Sequence, residues 1–481
     1  MIAAATVLVL LGSVTYADPN TIGLRGKFFN KIPNDDRFNY FDIELIQEAT
    51  KRQDGNVLIS PVSIKAALLM VLEGAVGKSA EEIRDVLRLP EEKDSYRIKT
   101  QQFLRRLDVR SPSITIETGN NLFISNDLKP YSEYRSAMQE YYSANISEVE
   151  FTSPTKAATT INDWVSRVTH GLIPKLVEAE GLPADTKLMM TNAVYFKGKW
   201  KIAFDVDGTT VRCFYKQNLE CQRSYFMETL SYFKYGYISA LDAEAVEILY
   251  NDDQFSMVIL LPTKRNNINK LIRDLTHSPL SDTIGKLQLT EVLVSIPRFN
   301  ITYNSELIPV LEKLGVQEVF GAHANLSGIA SDIGTAHISQ VLHATKIEVN
   351  EEGTIAGAGT GVLVVPLMGT TIPRFRADSP FLFFIRDTVT GSILFGGRVS
   401  TPDAVNMQPS KENYASEFKI DLNTRKEETT EHYISQVSRG HTKHQVARPG
   451  NLPTATDGRP LYQQPQSSDK DAIQFSFSGN L

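Results

Sequence analysis

The chain is predicted to have an α+β fold, and three observations support this prediction. Helical periodicity comes mostly early in the sequence, whereas short runs of β-branched and aromatic residues come mostly late. These runs do not alternate with helices in the repeated βαβ order of parallel-sheet proteins, and the sequence contains no internal repeat. With 481 residues and 42% hydrophobic content, the chain can bury a large core.

Three segments have the periodicity and end signals of helices. Residues 60–72 begin with a cap residue and Pro61 at the first helical position, and then turn apolar at helical spacing. Ser79-Ala-Glu-Glu has the form of a capping box and predicts a helix over residues 83–89. Residues 160–177 are amphipathic and predict a third helix.

Five runs are rich in β-branched, aromatic and aliphatic residues and are short enough to be strands. They cover residues 192–196, 246–250, 256–261, 291–296 and 381–385.

Residues 351–368 (EEGTIAGAGTGVLVVPLM) combine small and β-branched residues, with no charge after Glu352 and no proline before Pro366. An exposed loop does not need this composition, but a central β-strand does. In a strand, successive side chains point to opposite faces of the sheet, so every second residue lies on the same face. One such face would carry Thr354, Ala356, Ala358, Thr360, Val362 and Val364. Because this row is small and then β-branched, the segment is predicted to be a loop that inserts into a sheet.

The N-terminus has the features of a signal peptide over residues 1–17. An apolar run at residues 2–11 is followed by small residues, Thr15 and Ala17, at the two positions that a signal peptidase reads. No Lys or Arg precedes the run, and the alternative is a buried N-terminal helix. We expect a secreted, extracellular protein.

Three sequons are compatible with the secretory route. Sequons at Asn145, Asn300 and Asn325 are candidate glycosylation sites. The two cysteines, Cys213 and Cys221, are spaced to close a hairpin with a disulfide worth roughly 2–3 kcal/mol by loop entropy. The alternative is two free buried thiols. Two cysteines are too few for an all-thiolate zinc cluster, and we expect no metal site.

The composition changes after Pro402, which divides the chain into two parts. Residues 403–481 are rich in Gln, Ser, Thr, Asn and Pro and have few aliphatic residues. Such a segment cannot bury enough apolar surface to offset its chain entropy, and it is predicted to be disordered. Its three histidines are interpreted as solvated residues and not as a metal site. Residues 18–402 are predicted to fold as one domain.

Several function classes are disfavoured. The net charge of −6 argues against nucleic acid as the main partner, and no internal apolar run has the length of a membrane-spanning helix. The glycines of residues 357–361 imitate a dinucleotide fingerprint, but β-like residues and Pro366 follow them in place of a helix. The sequence has no G-x-S-x-G elbow for a Ser-His-Asp triad. We therefore expect no enzyme and no cofactor.

Six blocks of the sequence resemble the serpin superfamily, and they occur in serpin order between residues 56 and 399. They begin at Asn56, Ile161, Thr191, Ser256, His343 and Phe375. The resemblance implies a serpin fold with three β-sheets, about eight or nine helices and an exposed reactive-centre loop. It also implies a monomer that inhibits a serine protease as a suicide substrate, because the cleaved loop inserts into the large sheet.

The same resemblance assigns parts of residues 351–368. Glu351, Glu352 and Gly353 match the proximal hinge, and Thr354 matches the first inserting position. The hinge continues through Ile355, Ala356, Gly357, Ala358, Gly359 and Thr360. Ile355 departs from the family, since many inhibitors carry Glu there.

The reactive bond is placed at Leu367–Met368 by counting from the hinge. Counting back from Pro380 allows a shift that would make Val365 or Met368 the recognised side chain. All these side chains are apolar, so the expected target has a hydrophobic or shallow primary pocket, of chymotrypsin or elastase type.

Five further residues match positions of the family at the large sheet. Ser60, Ser63, Asn192 and His343 align with a buried polar cluster where the strands part, and its failure is expected to let the sheet open and polymerise. Trp200 matches a tryptophan near the top of the opening sheet.

Two alternatives remain open at the level of function. The first is a non-inhibitory serpin that acts as a carrier or chaperone, which the small, uncharged residues of the hinge disfavour. The second is a glycosaminoglycan site at Lys99, Arg105, Arg106 and Arg110. A solvated charged surface is the preferred interpretation of this basic cluster.

Overall fold

The computed structural model describes residues 36–107, 111–275, 280–354 and 372–405. The chain divides into two compact units, Met1–Asn406 and Met407–Leu481. The predicted signal peptide, the reactive bond Leu367–Met368 and the second unit lie outside the described residues.

The described part contains nine α-helices. They are α1 (Asp36–Arg52), α2 (Pro61–Gly74), α3 (Lys78–Leu87), α4 (Lys93–Leu107), α5 (Ser132–Tyr142), α6 (Pro154–Val168), α7 (Ile268–Asp274), α8 (Leu280–Gly285) and α9 (Ile308–Leu314). Single 3₁₀ turns occur at Ala179–Gly181 and Glu318–Phe320.

The described part also contains fifteen strands. They are β1 (Val57–Ile59), β2 (Ile114–Ser125), β3 (Asn145–Val149), β4 (Leu188–Lys199), β5 (Thr210–Tyr215), β6 (Cys221–Ile238), β7 (Ala243–Leu249), β8 (Phe255–Pro262), β9 (Gln288–Pro297), β10 (Phe299–Glu306), β11 (Ile338–Val349), β12 (Gly353–Thr354), β13 (Arg374–Arg376), β14 (Phe381–Asp387) and β15 (Ile393–Val399). Each of the five predicted strands overlaps one of these.

The strands form a six-stranded and a nine-stranded sheet. The six-stranded sheet has the order β10-β11-β4-β2-β3, with β12 paired to β4. In the nine-stranded sheet the long strand β6 pairs with β5 at its start, with β9 along its middle and with β7 at its end. The described strands thus pair as two sheets where the resemblance implies three, and the α+β prediction is confirmed.

The two faces of the six-stranded sheet are covered differently. All fourteen residues of α2 are buried, and its aliphatic side chains and Met70 belong to the main core, as expected for a mostly apolar helix. Pro61 starts this helix, as predicted. On the opposite face, α6 packs Ile161, Trp164 and Val165 against residues of β2, β4 and β11.

The prediction of a capping box at Ser79 was wrong because distant residues bind the same groups, and the third predicted helix has other bounds. No capping box forms at Ser79, since the N-cap of α3 is Gly77 and the Ser79 hydroxyl accepts a hydrogen bond from the Asn325 N–H. The Glu82 carboxylate binds backbone N–H groups near residue 317 instead of its own helix. The helix predicted for residues 160–177 is α6, which starts earlier, at Pro154, and stops at Val168.

A helix long and apolar enough to cross a bilayer does not occur in the described ranges.

Candidate functional site at the top of the six-stranded sheet

The hinge begins with a tight turn at the end of β11. Strands β11 and β4 run parallel and are paired from Ile338 to Lys346 of β11. Beyond this ladder, Asn350 and Gly353 exchange backbone hydrogen bonds across the turn, at 2.9 and 3.3 Å. Strand β12 then pairs antiparallel with the end of β4. Two hinge residues therefore occupy a strand position between β11 and β4.

Both glutamates of the turn are anchored. The Glu351 side chain is buried, and its carboxylate accepts hydrogen bonds from Arg298 Nε at 2.7 Å and from Thr209 Oγ1 at 2.5 Å. The backbone carbonyl oxygens of Glu351 and Glu352 accept from the N–H groups of Phe204 and Trp200, each at 2.8 Å. These contacts hold the start of the hinge against the loop that follows β4.

Gly353 and Thr354 fit tightly at the top of the sheet. Gly353 has a φ of +151°, and a Cβ atom there would lie 2.0 Å from the carbonyl oxygen of Gly198. Thr354 is fully buried, and its hydroxyl lies 3.2 Å from the hydroxyl of Tyr250. Position 354 is therefore unsuited to a charged side chain, because a charge there would be buried without a partner.

Trp200 lies next to the hinge. Its indole N–H donates to the Asn350 carbonyl oxygen at 2.9 Å, and its ring stacks on Tyr250 with 4.6 Å between centroids and 17° between planes. Tyr250 completes this arrangement, and burial raises its pKa, so that it stays a neutral hydroxyl. The sequence marked Tyr250 only as the end of a predicted strand, and its contact with Thr354 spans 104 positions.

The structure brings together the four polar residues that were aligned under the sheet. His343 Nε2 accepts a hydrogen bond from the Ser60 N–H at 3.1 Å, so Nδ1 carries the proton and donates to Asn192 Oδ1 at 2.7 Å. The Asn192 amide N–H₂ in turn donates to Ser63 Oγ and to Asn120 Oδ1. Sequence reasoning missed Asn120, which lies on β2.

This cluster links the two strands that would have to separate. Asn192 lies on β4 and His343 on β11, and they are directly paired in the ladder. Complete burial lowers the pKa of His343 to about 3, because the charged imidazolium would lose its water. The ring is therefore neutral at physiological pH.

The two cysteines close the hairpin between β5 and β6. Cys213 and Cys221 form a disulfide, with 5.1 Å between their Cα atoms. The adjacent Tyr215 N–H donates to the Asp378 carbonyl oxygen at 2.8 Å, two residues beyond the end of β13. The disulfide thus closes a hairpin that contacts the segment just after β13, the first strand that follows residues 355–371.

The remaining predicted site residues are scattered on the surface or lie outside the described part. The sequon residues Asn145, Asn300 and Asn325 are exposed. Arg105 is exposed on α4, the side chains of Lys99 and Arg106 are outside the description, and so is all of Arg110. The hinge residues from Ile355 to Thr360 are also outside it.

A protein-family model described as Serpin (serine protease inhibitor) matches residues 36–402 of this chain.

Individual relatives cover the same part of the chain. Serpin I2 of Homo sapiens is 31% identical over 368 residues, which are 76% of this chain and 90% of that protein. Leukocyte elastase inhibitor of Bos taurus is 35% identical over 370 residues, which are 75% of this chain and 97% of that protein. The crystal structure of Serpin48, a highly specific serpin in the insect Tenebrio molitor, superimposes with a TM-score of 0.71 at 29% identity and covers 78% of this chain and 99% of that one.

Proposed function

The chain belongs to the serpin family, and from this premise we propose that it is a secreted inhibitor that traps a serine protease as a suicide substrate. The observation that carries this proposal is the position of β12. Gly353 and Thr354 already pair with the end of β4, where an inserting strand would have to begin.

The proposed reaction starts like ordinary peptide cleavage. The serine Oγ atom of the protease attacks the carbonyl carbon of Leu367, and the bond to the Met368 nitrogen breaks. The serine proton passes through the general base of the protease to this nitrogen, which leaves as an amine. The protease is then joined to Leu367 through an ester, and the loop has a free end.

Insertion follows from the geometry of the strands. An inserted strand antiparallel to both β4 and β11 replaces one ladder between them by two new ladders, which favours the inserted state. Extending the register of Thr354 and Gly198 places Thr360 opposite Asn192 of β4 and, by the pairing of Asn350 with Gly353, opposite His343 of β11. The hydrogen bond between those two side chains must therefore break before the loop passes.

The residues on the core-facing row support this path. Between Thr354 and Thr360 this row contains only Ala356 and Ala358. Small uncharged side chains can enter a packed sheet without leaving an unpaired polar group. An acyl-enzyme dragged along with the strand would be deformed and would fail to hydrolyse its ester.

The expected target has an apolar primary pocket. No Lys or Arg occurs between Gly353 and Pro373, and the candidate side chains Val365, Leu367 and Met368 are all apolar. A trypsin-like pocket, which carries a buried acid, would leave that acid unpaired. We therefore propose proteases of chymotrypsin or elastase type.

A trapping assay tests the proposal. The full chain is mixed with chymotrypsin, elastase and trypsin, SDS-stable complexes are resolved by electrophoresis, and the cleaved bond is read by mass spectrometry. We expect a complex with chymotrypsin or elastase and cleavage at or next to Leu367–Met368. Stoichiometric trapping of trypsin alone would show that the specificity is wrong.

The variant Thr354→Arg isolates the insertion step. Because Thr354 is fully buried, a guanidinium there would enter the core without a partner, at a cost of several kcal/mol. The variant should still be cleaved but should release the protease, so that it becomes a substrate. Thr152→Arg, at an exposed threonine, is the matched control and should trap normally. Normal trapping by Thr354→Arg would contradict the insertion mechanism.

The carrier or chaperone alternative predicts a different response to cleavage. If the loop inserts, the cleaved protein should melt well above the intact protein, because a strand has been added to the sheet. Equal melting temperatures of the two forms would favour the non-inhibitory alternative.

Secretion is part of the proposal. A disulfide between Cys213 and Cys221 persists in oxidising compartments, and all three sequon asparagines are accessible on the surface. Expression in a secretory cell line should yield medium protein that begins after residue 17 and shifts in mass on enzymatic deglycosylation. Retention of the intact N-terminus inside the cell would contradict this part.

A further inference from the structure

The segment that follows α6, residues 169–182, folds back along this helix, and we call it the strap. At its start, the Thr169 hydroxyl accepts a hydrogen bond from the Ile173 N–H at 3.1 Å. Further along, the Asn162 side chain of α6 accepts from the Val177 N–H at 3.0 Å and donates to the Val177 carbonyl oxygen at 2.9 Å. The strap is therefore fastened to α6.

The apolar side chains of α6 and the strap cover two neighbouring strands of the six-stranded sheet. One hydrophobic cluster unites Ile173, Val177 and Leu182 of the strap with side chains of both β4 and β11. Its members on these strands are Met189, Ala193, Leu342 and Ala344. Because β4 and β11 are paired with each other here, the strap and α6 together bridge the boundary between them.

Polar contacts fasten the strap to opposite sides of this boundary. Near its start, His170 Nε2 lies 2.5 Å from Glu117 Oε2. Glu117 lies on β2, which is paired with β4 along nearly its whole length, so these two strands form one unit. Near its end, the Gln340 side-chain amide of β11 donates to the Gly181 carbonyl oxygen at 3.2 Å.

The backbone and a neighbouring ring place His170 for its contact with Glu117. His170 has a φ of +50°, which is uncommon for a residue with a side chain, and this turn ends α6. The imidazole packs edge-on against Tyr195 of β4, with 5.8 Å between ring centroids. Tyr195 is the ladder partner of Glu117, and desolvation, followed by the charges of Glu117 and Glu348, raises the pKa of its hydroxyl. His170 therefore contacts both β2 and β4.

We propose that His170 is a positioning residue: it fastens the strap across the boundary between β4 and β11 and so limits how easily these strands separate. The inference rests on the proposed function, because a strand that inserts there must move β11 away from β4 by about 4.8 Å, one strand spacing. A strap that is tied to β2 at one end and to β11 at the other must release a contact when this happens.

The two polar contacts differ in strength. The contact of His170 is made to a carboxylate, whereas the bond between Gln340 and Gly181 joins two neutral groups and is weaker. The strap consequently stays with β2 and β4, and β11 moves out from under it. As long as His170 holds the strap down, its apolar side chains remain on Leu342 and Ala344 and oppose this movement.

Hydrogen exchange in the full-length protein measures the separation without a protease. The reporters are the amides of the ladder between β4 and β11, read on peptides that cover residues 188–199 and 338–349. His170→Ala should make them exchange about two- to fivefold faster, the effect of losing one partly exposed ion pair. His170→Arg keeps a donor within reach of Glu117 and should restore slow exchange. His323→Ala, at an exposed histidine, is the matched control and should leave the rate unchanged.

A second comparison separates this contact from a general loss of packing. Glu117→Ala removes the partner, so adding His170→Ala to it should accelerate exchange no further, although each change alone does so. Wild-type exchange in His170→Ala, or an equal acceleration by His170→Ala with and without Glu117, overturns the assignment. A protein that exchanges as expected but traps no protease contradicts the proposed function and not the role of His170, so the two failures are distinguishable.

Discussion

Acidification should destabilise the folded protein through a single residue, His343, whose side chain joins β11 to β4. Its pKa is lowered by burial from 6.5 to about 3, so in the folded protein the ring stays neutral while in the unfolded chain it takes up a proton below pH 6.5. The unfolded state therefore binds more protons between pH 6.5 and about 3, and stability falls as the pH is lowered through this window. At pH 5 the loss relative to pH 7.5 is about 2 kcal/mol.

The variant His343→Gln isolates this contribution. At pH 7.5 it should cost about 1–3 kcal/mol, because Gln cannot satisfy both the Ser60 N–H and Asn192 Oδ1. Its main effect should be on the pH dependence. Urea unfolding of both proteins at pH 7.5 and pH 5 gives the change in unfolding free energy with pH, and this change should be about 2 kcal/mol smaller in the variant.

An exposed histidine supplies the control. His323→Gln should leave the pH dependence as it is in the wild type, because the ring of His323 is solvated in the folded and in the unfolded chain. A difference below about 0.5 kcal/mol between wild type and His343→Gln would refute the reasoning. It would mean that the imidazole is hydrated or charged inside the folded protein.

Three other predictions concern the fold around the site. Lys65→Met leaves the buried Asp42 carboxylate without its 2.7 Å ion pair and should cost about 3–5 kcal/mol in urea unfolding, while adding Asp42→Leu should recover most of it. Gly353→Ala places a Cβ atom 2.0 Å from a carbonyl oxygen of β4, so β12 should detach and its amides should exchange as fast as those of a loop. Replacing Cys213 and Cys221 by Ser should lower stability by about 2–3 kcal/mol, and reduction of the wild type should have the same effect. An unchanged unfolding midpoint after reduction would contradict the last prediction.

Much of the fold could be predicted from local patterns. The apolar helix that begins at Pro61 and the strands around residues 192–196, 256–261 and 381–385 were identified because burial on all sides leaves a continuous apolar run. The family was predicted from blocks that recur in a fixed order, and the match over residues 36–402 confirms it.

Local sequence patterns gave wrong predictions where a residue distant in the sequence binds the group that the pattern assigns to a local partner. Ser79 has the sequence of a helix cap, yet its hydroxyl binds the N–H of Asn325, 246 positions away. In the same way, the residues around Tyr250, Arg298 and Asn120 in the sequence carry no local pattern that predicts a place in the site. They became site residues only because the folded chain places them beside Thr354, Glu351 and Asn192.

The sequence by itself determined the composition of the hinge: small, uncharged residues in alternation, free of proline, that are suited to a central strand. Tertiary structure alone decided that Gly353 and Thr354 pair with the end of β4 as the short strand β12, and that Arg298 binds the Glu351 carboxylate of the turn. The physical reason is that strand propensity is a property of neighbouring residues. The place for β12 beside β4, and the contacts around it, are formed by segments that are distant in the sequence and meet only when the chain has folded.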